Sequence, residues 1–491
     1  MKYTAINIGP VIKTISLARR PRELWAASYL FSYLMRCIID QVPTDECVVI
    51  APIYDQDSDK KVGLYPDRLF LRHNEGVDDI KPNDILERAW GAFNEKLYLT
   101  KDYFNLMHVT LDIDSAKDSI AIGELNKKLD LLELCVYASN THKDGKDSLE
   151  TVMSLITERK NSELFKVAFG QKHMQMETLA EIAATQLNKE SYSNEWEEFA
   201  GKCVLETLDE DPYSPLKSLS EYKSYHRYFC VVQADGDNMG STITSEHISD
   251  GVVKSISEAL WRYGLEANSL ISEFGGRPIY AGGDDLLFIA PVVGKNGTNI
   301  FDLAAEIEKK FQPVVDVVPE DVLSKSGKIP SLSFGISISY YKSPLYEALE
   351  SARDCLFDIA KKGNIKHKVA WSLKKHSGET FEAVYSKFDS GLDKAFMNLI
   401  RNTVDGQTVS VLSHKIKANW ELLQKCISST HRLNAFFKTT LDAPNDSPYF
   451  NAVKDLIKHL DSAVEIDDLS ETLYTLLRTA KFIKGEDTKD E

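Results

Sequence analysis

The chain is poor in several features, and each shortage removes a class of protein. Its seven cysteines, at positions 37, 47, 135, 203, 230, 355 and 426, are odd in number, widely spaced and without a C-x-x-C pair. That spacing excludes an obvious zinc ribbon, so no zinc is expected, and it fits a reducing compartment. No apolar run approaches the roughly 18 residues of a membrane span. The opening Met1-Lys2-Tyr3-Thr4-Ala5-Ile6 lacks the charged-then-apolar order of a signal peptide. The expectation is a soluble, cytoplasmic protein with no membrane contact. Positive charge is also short: 58 Lys and Arg against 74 Asp and Glu leave a formal charge of −16. A nucleic-acid backbone is gripped by clustered cations that release counterions, so any RNA contact should be local or shared with more basic partners.

What is present is length and an ordinary apolar content. At 491 residues and 43% hydrophobic, the chain exceeds one core, and length alone suggests roughly three domains. Residues 3–8 read as a strand stopped by Gly9-Pro10, 11–39 as one or two amphipathic helices broken near Pro21, and 47–53 and 64–71 as two more strands. Strand, helix, strand, strand is most of a ferredoxin-like unit. Residues 83–227 are mostly helical in period, with candidate helices at 83–98, 123–139, 148–168 and 175–200; Asp112-Ile113-Asp114 reads as a solvated turn.

At Tyr228 the period switches. A strand at 228–234, a long helix ended by Gly275-Gly276, a hairpin at 278–293, a helix at 301–315 and a strictly alternating strand at 331–340 follow in order. A helix at 345–362 and an edge strand at 367–373 come next. This is a complete split βαβ unit. After Gly378 the sequence returns to helices and ends in a polar tail. The fold class is therefore α+β, with two ferredoxin-like units, a helical insert and helices at the end.

Two acidic loops lie in the second unit. Tyr280-Ala281-Gly282-Gly283-Asp284-Asp285 places two carboxylates at a hairpin tip that Gly282 and Gly283 allow to turn tightly. Ala234-Asp235-Gly236-Asp237-Asn238-Met239-Gly240, about fifty residues earlier, ends the neighbouring central strand. Metal-assisted nucleotidyl transfer needs carboxylates that hold two Mg²⁺ or Mn²⁺ ions, one activating a hydroxyl and one stabilising pyrophosphate. Asp235 and Asp284 are the natural pair. Strand alternation turns Asp285 to the other side of the hairpin, towards a supporting or substrate-hydroxyl role. Backbone N–H groups of Gly236, Asp237, Asn238, Met239 and Gly240 ahead of a helix suit phosphate oxygens. Lys361 and Lys362 either reach a γ-phosphate or simply place charge at a helix C-terminus. A plain turn is the competing reading of Gly-Gly-Asp-Asp.

These motifs resemble the large polymerase/cyclase subunit of type III CRISPR effector complexes, most closely its III-B (Cmr) branch. The resemblance also covers Ile8-Gly9-Pro10-Val11 and Ala18-Arg19-Arg20-Pro21-Arg22-Glu23-Leu24-Trp25 near the start. It implies two palm domains: a non-catalytic, acceptor-side palm at 1–82 and an active palm at 228–377, with a mainly helical insert at 83–227 and a helical C-terminal domain at 378–491. It further implies a nucleotidyltransferase that, on target RNA binding, converts ATP into an adenylate second messenger, usually cyclic oligoadenylate. Guide RNA, target RNA, Cmr-type backbone subunits and a small helical subunit would be its partners. On that carry-over Asp235, Asp284 and Asp285 bind metal and catalyse, and Gly236 to Gly240, Gly282 and Gly283 lie beside the nucleotide.

Three departures from the family stand out. Many relatives begin with an HD-type DNA nuclease, but none of the eleven histidines here is followed by aspartate, so no DNase activity is expected. The family's zinc-binding cysteines have no counterpart. Where relatives often carry Pro-Asn-Arg-Phe, this chain has Pro66-Asp67-Arg68-Leu69-Phe70. An anionic Asp67 repels a triphosphate and favours a cationic acceptor such as S-adenosylmethionine, which some III-B relatives adenylylate. The simpler reading pairs Asp67 with Arg68 or makes it a turn cap. A catalytically silent scaffold, a diguanylate cyclase and a template-dependent polymerase are the remaining alternatives. Intact acidic residues count against the first; the missing Glu-Phe after Gly-Gly-Asp and the lack of a basic groove count against the others.

Overall fold

In the computed structural model, residues 1–53, 61–77, 80–114, 117–140, 146–157, 163–170, 176–205, 211–387, 391–404, 406–441, 447–462 and 469–485 are described. Strand β1 (Lys2–Gly9) is followed by helices Val11–Ile15 and Pro21–Asp40, then β2 (Cys47–Ala51) and β3 (Arg68–His73). Pro21 fits the first helical position because its missing N–H would have no partner there. The helix Pro82–Asn94 leads into β4 (Asn105–Asp112), and the sheet order is β2-β3-β1-β4, antiparallel throughout. This is the ferredoxin-like order.

Strand β4 corrects one expectation: residues 105–112 lie in the stretch read as helical insert, yet they pair along the whole of β1 from Lys2↔Asp112 to Gly9↔Asn105. The first palm sheet therefore runs beyond residue 82. β4 alternates only over the short run His108-Val109-Thr110-Leu111-Asp112 and is half-exposed or exposed along its length, so its pairing with β1 is what identifies it as a strand. Asp112, read as part of a turn, ends this strand and accepts a bond from the N-terminal ammonium at 3.2 Å.

The second sheet has the order β10-β9-β8-β5-β7-β6. Its strands are β5 (Tyr228–Asp237), β6 (Arg277–Gly282), β7 (Asp285–Pro291), β8 (Ser331–Tyr340), β9 (Lys368–Lys374) and β10 (Thr380–Ser386). The four strands β8-β5-β7-β6 repeat the ferredoxin-like order of the first palm. Helix Asp250–Phe274 ends in the αL conformation at Gly275, and helix Ile300–Asp316 starts at an Asn299–Asp302 capping box. A second correction falls here: β9 is not an edge, because β10 pairs outside it from Thr380↔Lys374 to Ser386↔Lys368. The helices expected immediately after Gly378 begin only at Leu392.

Strand alternation distributes the side chains between two cores. Cys230, Val232, Ala234, Phe288 and Phe334 pack with Tyr263, Ile307 and Phe311 of the two long helices, in a core that also takes Tyr3 and Ala5 of the first sheet. Phe229, Val231, Leu287 and Ile289 join Ile6, Ile8, Leu24 and Leu30 on the other side. Both cores thus cross the boundary between the palms. Polar ties do the same: Ser28 Oγ donates to Ile279 O at 2.9 Å, and Ala281 N donates to Gly63 O at 2.7 Å. Arg72 Nη1 bridges Asp118 and Asp250 at 2.9 and 3.0 Å.

Candidate active site

The sheet register decides which carboxylates face one another. Strands β5 and β7 pair from Phe229↔Pro291 to Ala234↔Leu286, so continuing the ladder by one step sets Asp235 across from Asp285. Opposed residues of an antiparallel pair share a face, and neighbours in sequence take opposite faces. Asp235 and Asp285 accordingly line one cavity of about 480 Å³, whereas Asp284 is not among its lining residues. The turn works as its residues suggest: Gly282 pairs with Asp285 and Gly283 has φ +66°.

Asp284 packs instead on the backbone of Gly236. A Cβ at Gly236 would overlap the Asp284 carboxylate and come within 2.7 Å of Met239 Cγ. Asp235 and Asp284, the pair expected from sequence, therefore sit on adjacent strand ends but point to different sides. Among the described residues, no three of His, Cys, Asp and Glu converge as a metal cluster.

Asp237 is fully buried. Its Oδ2 accepts from Ser331 Oγ at 2.8 Å, Ser333 Oγ at 2.8 Å and the His367 N–H at 3.0 Å. Its Oδ1 is buried without a hydrogen bond, 3.7 Å from Lys361 Nζ. Lys361 follows the wide-turned segment Cys355–Ala360 that continues helix Leu345–Asp354. Its ammonium contacts Asp235 Oδ1 and donates to Gly236 O at 3.0 Å. Burial, and after it the charge of Lys366, pulls the Lys361 ammonium down to about 7, and contact with the Asp235 carboxylate opposes that fall. Lys362, named with it from sequence, is exposed and takes no part in these contacts.

Asp285 and Asp67 reach the water of the cavity, but protein encloses them on their other sides. That enclosure raises the Asp285 carboxyl well above the usual range, and the charges of Asp284 and Asp67 add to it. Burial likewise raises Asp284, with Asp237 contributing, and Asp67, where Arg68 pulls back and Glu133 pushes on. Arg68 does not form the expected ion pair with Asp67: its guanidinium bonds Asn126 at 2.8 Å, Asp130 at 2.7 Å and Glu133 at 3.4 Å. Asp67 is left facing the cavity.

Asn238 stands in the left-handed region at φ 62° and Met239 is buried beneath the loop. Gly240 is open, but the helix behind the loop, Met239–Ile243, has five residues, too short to contribute a substantial dipole. The expected phosphate contacts would rest on loop N–H groups alone.

Sequence reasoning missed Tyr280, Gln233, Glu350 and Arg353 as cavity residues, and Ser331, Ser333 and His367 as the holders of Asp237. The alternating serines of Ser331-Leu332-Ser333 were a signal for the latter: small hydroxyls on one face of a buried strand need an acceptor.

A divalent cation is the group this chemistry implies. Asp235 Oδ1, the Gly236 carbonyl and the orphaned Asp237 Oδ1 are hard oxygen donors around one point that a cation already holds, and Mg²⁺ typically takes one or two carboxylates with phosphates and water. The residues present fit it.

By fold and site, the molecule is a two-palm protein of the nucleotide-cyclase and polymerase type, with acidic strand ends at the seam between the palms. A family model described as "Cas10/Cmr2, second palm domain" matches residues 228–370, and one described as "CRISPR-associated protein Cmr2, N-terminal" matches residues 3–96. Both matches lie in order along the chain, so residues 3–96 and 228–370 are similar to the N-terminal and second-palm domains of Cas10/Cmr2 proteins. A CRISPR system Cmr subunit Cmr2 from Pyrococcus furiosus is 28% identical over 223 residues, covering 39% of this chain and 24% of the relative. The match thus spans about a quarter of that relative's length. Among solved structures, the type III-B Cmr-beta complex in its apo state aligns with 99% of this chain and 82% of the matched chain, at TM-score 0.57 and 12% identity. A Csm1–Csm4 cassette in complex with cA4 aligns with 98% and 70%, at TM-score 0.51 and 12% identity. These structural likenesses extend the fold assignment over the helical C-terminal part as well.

Proposed function

We propose that this chain is the nucleotidyltransferase subunit of a type III-B CRISPR antiviral complex, converting ATP into a cyclic oligoadenylate messenger when target RNA pairs with the guide. The observation that carries the reading is the facing of Asp235 and Asp285 into one cavity between two palms, within the matched second palm. Two nucleotides have to meet for a 3′-hydroxyl to attack an α-phosphate, and a cavity walled by both palms can seat donor and acceptor together. In the cytoplasm the partners would be guide RNA, target RNA, Cmr-type backbone subunits and a small helical subunit.

Asp235, Gly236 O and Asp237 Oδ1 would hold Mg²⁺ or Mn²⁺, with Asp284 and Asp285 completing the acidic set. When bound, the metal supplies charge stabilisation at the reacting phosphate. The protein's own part is positional. The Asp237 clamp fixes the end of β5, Gly282 and Gly283 bring Asp285 to the cavity wall, and Lys361 provides a cation beside the phosphates. The decisive experiment uses the assembled complex with labelled ATP and target RNA. Asp284→Asn combined with Asp285→Asn should reduce product at least a hundredfold, by the usual scale of removed metal ligands, with assembly intact. Unchanged synthesis refutes the site.

A second reading concerns the acceptor. Asp67 lines the cavity, and Arg68 is engaged elsewhere, so a carboxylate is offered to whatever binds there. That favours a cationic acceptor, and S-adenosylmethionine carries both a sulfonium and an ammonium. The same assay run with and without S-adenosylmethionine separates the readings: a product that does not depend on the additive eliminates the conjugate.

A further inference from the structure

The cation position beside Asp235 is already filled by the chain itself. Lys361 Nζ touches Asp235 Oδ1, bonds Gly236 O at 3.0 Å and lies 3.7 Å from the otherwise unbonded Asp237 Oδ1. Those three oxygens are the donors assigned above to a divalent metal. An ammonium and a metal ion cannot both occupy their common point, since two cations at contact distance repel strongly.

We propose that Lys361 is an exchangeable counter-ion: the metal displaces its ammonium from these oxygens, and the freed ammonium is handed to the phosphates of the incoming nucleotide. Lys361 is a positioning residue that links metal occupancy to phosphate binding. The site is neutralised by protein when empty and by metal when loaded. The geometry suits such a move, because the side chain hangs from the end of helix Leu345–Asp354 and its wide-turned continuation, whose residues Arg353, Leu356 and Phe357 already border the cavity. A four-carbon stem that pivots at its base can carry its ammonium from the β5 end into that cavity with no change in the sheet.

This inference rests on the nucleotidyltransferase reading, and its test separates the two. Mn²⁺ binding to the full chain is measured by electron paramagnetic resonance without nucleotide, for the unmodified protein, Lys361→Met, Lys361→Gln and Asp235→Asn. Removing the ammonium should tighten Mn²⁺ about tenfold in both lysine variants, the scale on which an adjacent charge biases a carboxylate. Binding of a non-hydrolysable ATP analogue with Mn²⁺ saturating should weaken about tenfold in the same variants, one charge-assisted contact having been lost. Opposite signs for metal and nucleotide are not produced by a site that is merely loosened. Mn²⁺ affinity that is unchanged or weaker in both lysine variants overturns the exchange, and unchanged analogue affinity overturns the hand-over. If Asp235→Asn binds Mn²⁺ as tightly as the unmodified protein, the metal site itself is wrong, and the functional reading falls with it.

Discussion

Asp237 shows how one carboxylate can be structural on one oxygen and functional on the other. Three donors converge on Oδ2 and none on Oδ1, in a residue with no solvent exposure. Asp237→Ala removes the acceptor of Ser331 Oγ and Ser333 Oγ, while the His367 N–H keeps Ser333 Oγ at 3.2 Å, and each buried unsatisfied group costs about 1 kcal/mol or more. The expected loss is about 2 kcal/mol in denaturant unfolding, the range of a broken buried network. Asp237→Asn, which keeps the shape, should lose less stability but still weaken Mn²⁺ binding. The motif Asp-Gly-Asp exposes all of this chemistry to a reader of the sequence except the direction of each side chain. Asp284 and Asp285 illustrate the limit: as neighbours they must diverge, but only the β5–β7 register assigns Asp285 to the cavity.

Elements enter through the turn that launches β5. Within Ser224–Arg227, His226 is buried, accepts the Lys223 N–H at 2.9 Å on Nδ1 and bonds Gln186 Oε1 at 2.8 Å through Nε2. An acceptor at Nδ1 and an amide oxygen at Nε2 require the neutral ring protonated on Nε2. Burial accordingly depresses its pKa from 6.5 to about 3. A depressed value means that the unfolded chain takes up a proton before the folded one does. Stability from this group is complete above the ordinary value and is lost as the pH falls towards 3. At pH 5 the loss is about 2 kcal/mol by linkage. His226→Asn should lower stability at pH 7.5 and flatten its decline between pH 7 and 5, read from thermal melts across that range. A slope equal to that of the unmodified chain contradicts the assignment. The same scale explains which elements were readable. β8, with its strict alternation, occurs at residues 331–340 as expected, and helix Asp250–Phe274 ends at the expected glycine. β4 and β10 were missed although both alternate, with Phe381, Ala383 and Tyr385 of β10 turned inward: each is a short edge strand beside helical stretches, and its partner strand is what defines it.

At the scale of the molecule, the two palms behave as one packed body whose seam forms the cavity. Arg72 ties β3 to the starts of two helices: it bonds both oxygens of Asp118, at 2.9 and 3.0 Å, and Asp250 at 3.0 Å, while the Asp118 N–H bonds Asp250 Oδ1 at 2.8 Å. Burial already raises the Asp118 carboxyl, Asp250 adds to this and Arg72 relieves it. Arg72→Met leaves two carboxylates facing each other and should cost about 2 kcal/mol, less than a fully buried pair because Arg72 is partly open to water. Product formation should fall further than stability alone explains, since the seam positions both nucleotides; equal activity at a temperature where the variant is folded counts against that role.

By itself, the sequence determined what is local or additive. It carries the α+β class, the order of strands and helices in both palms apart from β4 and β10, the charge deficit and the acidic motifs, since periodicity, turn chemistry and composition act through near neighbours. Tertiary structure decided what depends on register and on contacts between distant segments. It turned Asp285 rather than Asp284 towards Asp235, gave Arg68 to Asn126, Asp130 and Glu133 and so left Asp67 at the cavity, and brought Lys361 to the oxygens of Asp235 and Gly236 from more than a hundred residues away. The reason is physical: a one-residue step in a strand reverses a side chain, and no local preference sets that step.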